Sequence, residues 1–351
     1  GDTVTVIYGD TSMGEEGAYV QPWIEKDRVC FTAFSDSEGT GEFIQAEGSP
    51  VICEVIPGPF TRANLTVPSV SESTAPVRIA LTDEGWDAVT SGERAKIHEM
   101  HLYDAQGKRI PLSIPADSSS FTVSNVLVGG PQRVRAEIRT EEDRIVEAEA
   151  NPSVCDQNGY RLLWGDLHCH SHYHQYNPNL GYGDPSTGPD ELMRYVREVA
   201  LLDFMAITDG SGPMPENKGW LESQQAVLEH HKDGEFTVFK GWEIQYGLQG
   251  HRNAIYRDAI VEDHYTDPVF SDITVFGDGP KNSKGMQGAV EYFKDRNDVL
   301  LIPHHSMTWI DWDVYDEHLD RLVEIYSCWG SSESLHNDYW DKASLPGLSV
   351  V

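Results

Sequence analysis

Apolar residues alternate with polar ones along the first 150 residues in short runs bounded by Gly, Asp, Ser and Pro. TVTVIYG (3–9), RVCFTAFSD (28–36) and SPVICEVIPG (49–58) read as strands, as do VRIALTD (77–83), EMHLYDA (99–105), SFTVSNVLVG (120–129) and QRVRAEIRT (132–140). Regular short strands with turn signals predict β-sandwich-like modules over 1–68 and 69–156, joined by a Ser/Pro/Thr stretch at 68–76. After Cys155 the pattern changes to alternating strands and helices. RLLWGDL, LLDFMAIT, FTVFKGWEI, GHRNAIY, DVLLIPHH and RLVEIYS read as strands. Pro189 opens a helix whose Leu192, Tyr195, Val196 and Val199 share one face, and WLESQQAVLEHH and GMQGAVEYFKDR form two more. Such βα alternation predicts an α/β domain over 157–351 with a parallel sheet or barrel.

Candidate chemistry gathers in that last region, which holds 12 of the 14 histidines, between His168 and His336. His168 and His170 lie two apart at the end of a strand, so they project from one face, with Asp166 beside them. Cys169 alternates to the other face and reads as a small packed residue. Asp209 ends FMAITD, Glu243 ends FTVFKGWE, His251 opens the next short strand, and His304 and His305 end VLLIPHH. In βα barrels the carboxyl ends of strands meet in one ring, so these dispersed residues converge on one site. Imidazoles mixed with carboxylates and no clustered thiols favour zinc, manganese or iron.

Composition narrows the function classes. Asp and Glu total 57 against 26 Lys and Arg, a net charge of −31 that repels nucleic acid. No apolar run reaches membrane-spanning length. The five cysteines lack the C-x-x-C spacing of a zinc ribbon, and Cys30 and Cys53 could pair if the protein is exported.

WGDLHCHS, AITDG, GWEI, GHRNAIY, IPHHS and VEIYSCWGSSE together resemble the PHP (polymerase and histidinol phosphatase) superfamily, and within it the DUF3604 group. The resemblance is strong over 158–334 and looser over 1–157. It implies a distorted (β/α)7 barrel with two or three divalent ions and metal-dependent hydrolysis, typically of phosphoesters. It also implies that His168 and His170 are the first ligand pair, Glu243 the bridging carboxylate, and His251 and one of His304 or His305 later ligands. Thr208-Asp209-Gly210 departs from the family's T-D-H, so a ligand is missing at Gly210, and His172 or His174 is the expected replacement. No final D-x-H occurs before Val351, and six strands are legible where the family has seven. The expectation is a barrel completed by a further segment or by another chain.

Around this constellation, Asp209 and Arg252 are the expected catalytic residues, with Arg252 placed either to grip a phosphate oxygen or, among so many acidic residues, in a surface ion pair. Asp166 and Glu324 are candidates to orient ligands, and Trp309, Trp312, Tyr326 and Trp329 to wall the pocket. The expected substrate is a small phosphorylated or ester compound, and an exported enzyme fits the β modules ahead of the hydrolase. Amide or ester hydrolysis by the same ions, or a non-catalytic assembly protein with a vestigial barrel, are the alternatives.

Overall fold

The structure, a computed structural model, describes residues 12, 25–36, 39–156, 160–174, 187–210, 218–246, 250–258, 285–306, 310–327 and 330–332. The chain divides into two compact units, residues 1–162 and 163–351. The predicted strand at 3–9 and the side chains of Cys30 and Cys53 lie outside the described residues.

In the first unit, β1 (Glu25–Phe31) pairs antiparallel with β2 (Val51–Val55). The remainder is a sandwich. One sheet joins β3 (Arg62–Thr66), β4 (Thr74–Thr82) and β6 (Ser120–Leu127), with β4 central. The other joins β5 (Ile97–Tyr103), β7 (Arg135–Thr140) and β8 (Ile145–Glu149), all antiparallel. Their inward residues, among them Leu65, Val77, Ile79, Leu81, Leu102 and Ile138, form one core. This corrects two expectations. Strand β3 precedes residue 68 yet pairs with β4 along its length, so the sandwich starts upstream of that boundary. The 68–76 stretch is not a plain linker: Val70–Ser71 pairs with Val154–Cys155, and β4 already begins at Thr74. Between β4 and β5, Thr90 caps the short helix α1 (Ser91–Ala95) by accepting the Glu93 N–H.

The second unit is a five-stranded sheet in the order β9 (Gly165–Cys169), β10 (Phe204–Ile207), β11 (Thr237–Tyr246), β12 (Gly250–Tyr256) and β13 (Val299–His304). Helix α2 (Pro189–Glu198) starts with Pro at its first turn, as expected, and α3 (Lys218–His230) follows β10. Both pack on one face through Met193, Val196, Ala226 and Val227, against Met205, Ile207 and Val238. Helix α4 (Met286–Phe293) lays Ala289, Val290 and Phe293 on Trp242, Ala254, Tyr256 and Leu301.

Alternation then fixes the other face. Ala206, Ile255 and Ile302 form a thin apolar layer there with Leu167 and Phe239. Each strand's next inward residue towards one edge is polar: Glu243 after Phe239 and Gly241, His251 before Asn253 and Ile255, His304 after Ile302. The sheet is tight under Glu243. A Cβ on Gly241 would stand 2.7 Å from the Ile207 carbonyl oxygen and 2.7 Å from Thr208 Cγ2, so this position requires glycine.

The expected parallel barrel is corrected here. β9, β10 and β11 are parallel, but β12 runs antiparallel to both β11 and β13. The reversal brings the start of β12, with His251, to the edge where β11 and β13 end. RLVEIYS does not form a sixth full strand: only Tyr326–Ser327 pairs, with Gly330–Ser331, while the Glu324 N–H bonds the Pro303 carbonyl. Among the described residues the sheet is a partial barrel, not a complete (β/α)7 one, and helix content is low.

Candidate metal centre

Glu243 lies at the centre of the polar edge, 2 % exposed. Its Oε1 is 2.8 Å from His251 Nδ1 and 2.9 Å from His304 Nε2. Its Oε2 is 3.4 Å from both His170 Nε2 and His174 Nδ1. One carboxylate therefore addresses two imidazole pairs through separate oxygens. Burial opposes ionisation of Glu243, but hydrogen bonds from His251 and His304 outweigh it and hold the carboxyl far below the usual range.

The local folding of each strand end explains how the rings meet. His251 and His304 are direct partners across β12 and β13, with ring centroids 5.4 Å apart. Consecutive residues of a strand face opposite ways, so His305 should point away from His304. It does not, because its backbone is left-handed (φ +59°) and turns the ring back to the cluster, 5.2 Å from His251. Both His304 and His305 thus belong to the site, where the resemblance implied one of them. On β9 a register irregularity interrupts the ladder between Asp166 and Cys169, which pairs again with Ile207. His168 and His170 both turn to the cluster, with rings 4.8 Å apart, and Cys169 packs against the α2–α3 core as expected.

The His168 Nδ1 donates to Glu324 Oε2 at 2.6 Å, which leaves Nε2 as its other donor atom. Burial works against the His168 charge, yet the Glu324 hydrogen bond outweighs it and raises the pKa, while Glu324 is lowered in turn. His170 is pushed down to about 3 by burial and by the neighbouring His174, and His305 to about 4 by burial and by His304. Burial also lowers His304 and His174. These rings are neutral near pH 7, the form that binds a metal.

Three overlapping sets place donor atoms within 4.8 Å of one another: Glu243, His251, His304 and His305; His168, His170 and Glu243; His168, His304 and Glu324. The 3.4 Å spacing of His170 from Glu243 matches the donor-to-donor distance about a tetrahedral ion with bonds of about 2.0–2.1 Å, which is about 3.3–3.4 Å; His174, equally near Glu243, is in none of these sets, and its ring stacks on that of His170 with centroids 3.6 Å apart. Buried Glu243 Oε2, His170 Nδ1 and His304 Nδ1 have no hydrogen-bond partner among the described residues. Orphaned buried polar atoms are costly, and such a donor set fits divalent metal ions.

His174 is also the resident at position 210. A Cβ on Gly210 would meet His174 Cε1 at 2.8 Å and Nδ1 at 3.0 Å, and the Gly210 N–H donates to His174 Nδ1 at 2.8 Å. The ring brought by the turn after β9 takes up the space that a side chain at 210 would need.

Two predicted residues are placed elsewhere. Arg252 alternates to the helix-covered face, fully buried, where its Nε donates to Asp320 Oδ1 at 3.0 Å and its guanidinium also bonds the Val314 carbonyl. It does not face the cluster and cannot hold a substrate phosphate there. Asp209 spends both carboxylate oxygens on Ser171, accepting its N–H and its Oγ–H at 2.6 Å each. It fixes the turn after β9 rather than a reacting group. Asp166 accepts the His168 N–H at 2.8 Å, and His172 bonds through its backbone to Thr187. Trp309 and Trp329 lie outside the described residues, and Trp312 and Tyr326 are exposed. The residue underweighted by sequence reasoning is Glu324, a donor candidate in its own right; its signal was a lone charge inside the apolar run VEIY.

No helix among the described residues is long and apolar enough to cross a membrane. No protein-family model matches the chain, and no solved structure matches it. The chain is 20% identical over 349 residues to an uncharacterized protein of Chlamydia pneumoniae; the alignment covers 95% of this chain and 52% of the relative. The chain thus spans about half the length of the curated relative it matches.

Proposed function

We propose that the chain is a metal-dependent hydrolase of small phosphoesters. The observation that carries this reading is the division of labour at Glu243, one oxygen towards His251 and His304 and the other towards His170 and His174. A carboxylate so placed suits a bridge between neighbouring cations, and the likeness of the strand-end motifs to the PHP superfamily supports the same chemistry. Divalent ions bound there would supply an acidified water at neutral pH and offset charge developing on phosphoryl oxygens.

The chain's own residues have definable parts in this reading. Glu243 holds negative charge at the centre of the imidazole cluster. His170, His304 and His305 stay neutral through burial, so no proton has to be displaced before they bind. Glu324 fixes the tautomer of His168 and its ring orientation. The buried apolar layer beneath the cluster keeps its floor dry, which strengthens electrostatic interactions above it.

A second reading, hydrolysis of esters or amides by the same centre, draws support from Arg252. That cation, adjacent to His251 in sequence, faces away into an ion pair and leaves the phosphate grip expected of it unmade. Turnover of aryl phosphates and aryl esters by metal-loaded protein separates the two. Phosphate hydrolysis abolished by chelation supports the phosphoesterase. Ester turnover without phosphate turnover replaces it with the second reading, and turnover of neither by fully loaded protein contradicts both.

A further inference from the structure

Asn253 lies on the cluster face of β12, 1 % exposed, as the direct partner of Glu243 on β11 and of Ile302 on β13. Directly opposed residues share one face of a sheet, with Cβ atoms about 4.5–5.5 Å apart, so the Asn253 amide stands beside the Glu243 carboxylate. It also reaches a strand that is not its neighbour. Its Nδ2 donates at 3.3 Å to the carbonyl of Leu167, the residue before His168. Strands β9 and β12 are separated in the sheet by β10 and β11, so this bond spans the inside of the partial barrel.

That bond fixes which way the amide points. A carbonyl oxygen only accepts, so the amide nitrogen faces Leu167 and Oδ1 is the arm left over. Oδ1 is buried and has no hydrogen-bond partner among the described residues, and Glu243 Oε2 is in the same condition. The apolar layer around them, with Leu167 and Ile302, supplies no donor. An orphaned buried acceptor costs about 1–3 kcal/mol, and two of them occupy facing positions on adjacent strands. A cation answers both. The set His168, His170 and Glu243 is drawn from β9 and β11, the strands on which Asn253 meets Leu167 and Glu243. Three residues leave room for a further donor about an ion.

Resting on the metal-centre reading above, we propose that Asn253 is a metal ligand, its Oδ1 an uncharged oxygen donor to the cation held by His168, His170 and Glu243. The Leu167 carbonyl is the partner that orients the amide, as Glu324 orients His168.

The test titrates metal-free full-length chain with Zn²⁺ by calorimetry and with Co²⁺ by visible absorption, for wild type, Asn253→Leu and Asn253→Asp. Asn253→Leu keeps the approximate shape and removes the oxygen. It should weaken binding by at least about 10-fold, the lower end for residues that merely orient ligands, and change the Co²⁺ spectrum. Asn253→Asp keeps an oxygen and loses the N–H to Leu167. It should bind at least as tightly as wild type, with a shifted Co²⁺ spectrum, because a carboxylate replaces the amide. If Asn253 only straps β12 to β9, both variants weaken binding alike, and the proposal is overturned. Affinity and spectrum unchanged in both variants overturn it as well and leave the metal centre standing. Should Asn253→Leu fail to fold, Asn253→Asp still decides, since weaker binding or an unshifted spectrum contradicts ligation. A wild type that takes up no ion would overturn the metal centre itself.

Discussion

Glu243 and His251 stand one diagonal step apart on antiparallel strands, with Gln245 opposite His251, and meet at 2.8 Å. This contact exists because β12 reverses direction. In a parallel strand the residue opening β12 would lie at the far edge of the sheet from Glu243. Glu243→Ala should therefore leave the His251 and His304 rings clustered without a counter-charge and lower metal affinity by more than 10-fold; calorimetric titration of the variant checks this.

Gly241 predicts a stability effect that also reaches the site. Gly241→Ala places a methyl group 2.7 Å from the Ile207 carbonyl oxygen, an overpacking that costs about 1–3 kcal/mol. Because the clash lies between β10 and β11, two residues before Glu243, metal affinity should fall with it. Denaturant unfolding and metal titration of the variant report the two effects; a stable variant with unaltered affinity would refute the close approach.

Arg252 makes the opposite prediction. Its ion pair with Asp320 is buried at both ends, and removing one partner of such a pair costs about 3–5 kcal/mol. Arg252→Met should destabilise the fold by that order and leave the metal content of the surviving folded protein unchanged. The double variant Arg252→Met/Asp320→Leu should recover much of the loss, since no charge is left unpaired. Selective loss of turnover by stable Arg252→Met protein would return Arg252 to the site.

Lys240 gives a pH dependence away from the metal. It is fully buried on the helix side of β11, its Nζ bonded to Ser223 Oγ and 3.8 Å from the Trp220 ring centroid, and burial lowers its pKa to about 7. The folded pKa lies below the unfolded one, so between pH 7 and about 10 the unfolded chain holds a proton that the folded chain has released, and stability rises with pH at about 1.4 kcal/mol per unit. Below pH 7 both states are protonated and the gain is gone. The stability difference between wild type and Lys240→Met, followed by denaturant unfolding from pH 6 to 10, should trace this slope; a flat difference would contradict it.

Much of the site is legible in the sequence because a strand exposes its periodicity locally. The period of two sorts His168 and His170 from Cys169, and the run before His304 ends where β13 ends, while β11 continues past Glu243 to Tyr246. Strand direction is another matter. GHRNAIY alternates identically whichever way it runs, so the antiparallel pairing of β12 could not be read from it. His305 was ambiguous for a related reason: its inward turn depends on a left-handed backbone, which alternation excludes by default. Partners far along the chain were also hidden. Glu324 lies 156 residues from His168, and Asp320 lies 68 from Arg252. The apolar run at 321–327 reads as a strand, but only Tyr326–Ser327 finds a partner strand among the described residues.

The most direct measurement of the central claim is metal content per chain, by elemental analysis after dialysis against trace divalent metal, for wild type, Glu243→Gln and His98→Ala. Glu243→Gln keeps the shape of the side chain and removes the charge shared by the imidazoles; His98 lies on the first-unit strand β5, in the sandwich rather than in the metal cluster. The account predicts about two ions per chain in wild type and His98→Ala, as a bridging carboxylate requires, and a clear loss in Glu243→Gln. Equal occupancy in all three, or less than about one ion per wild-type chain, would contradict it.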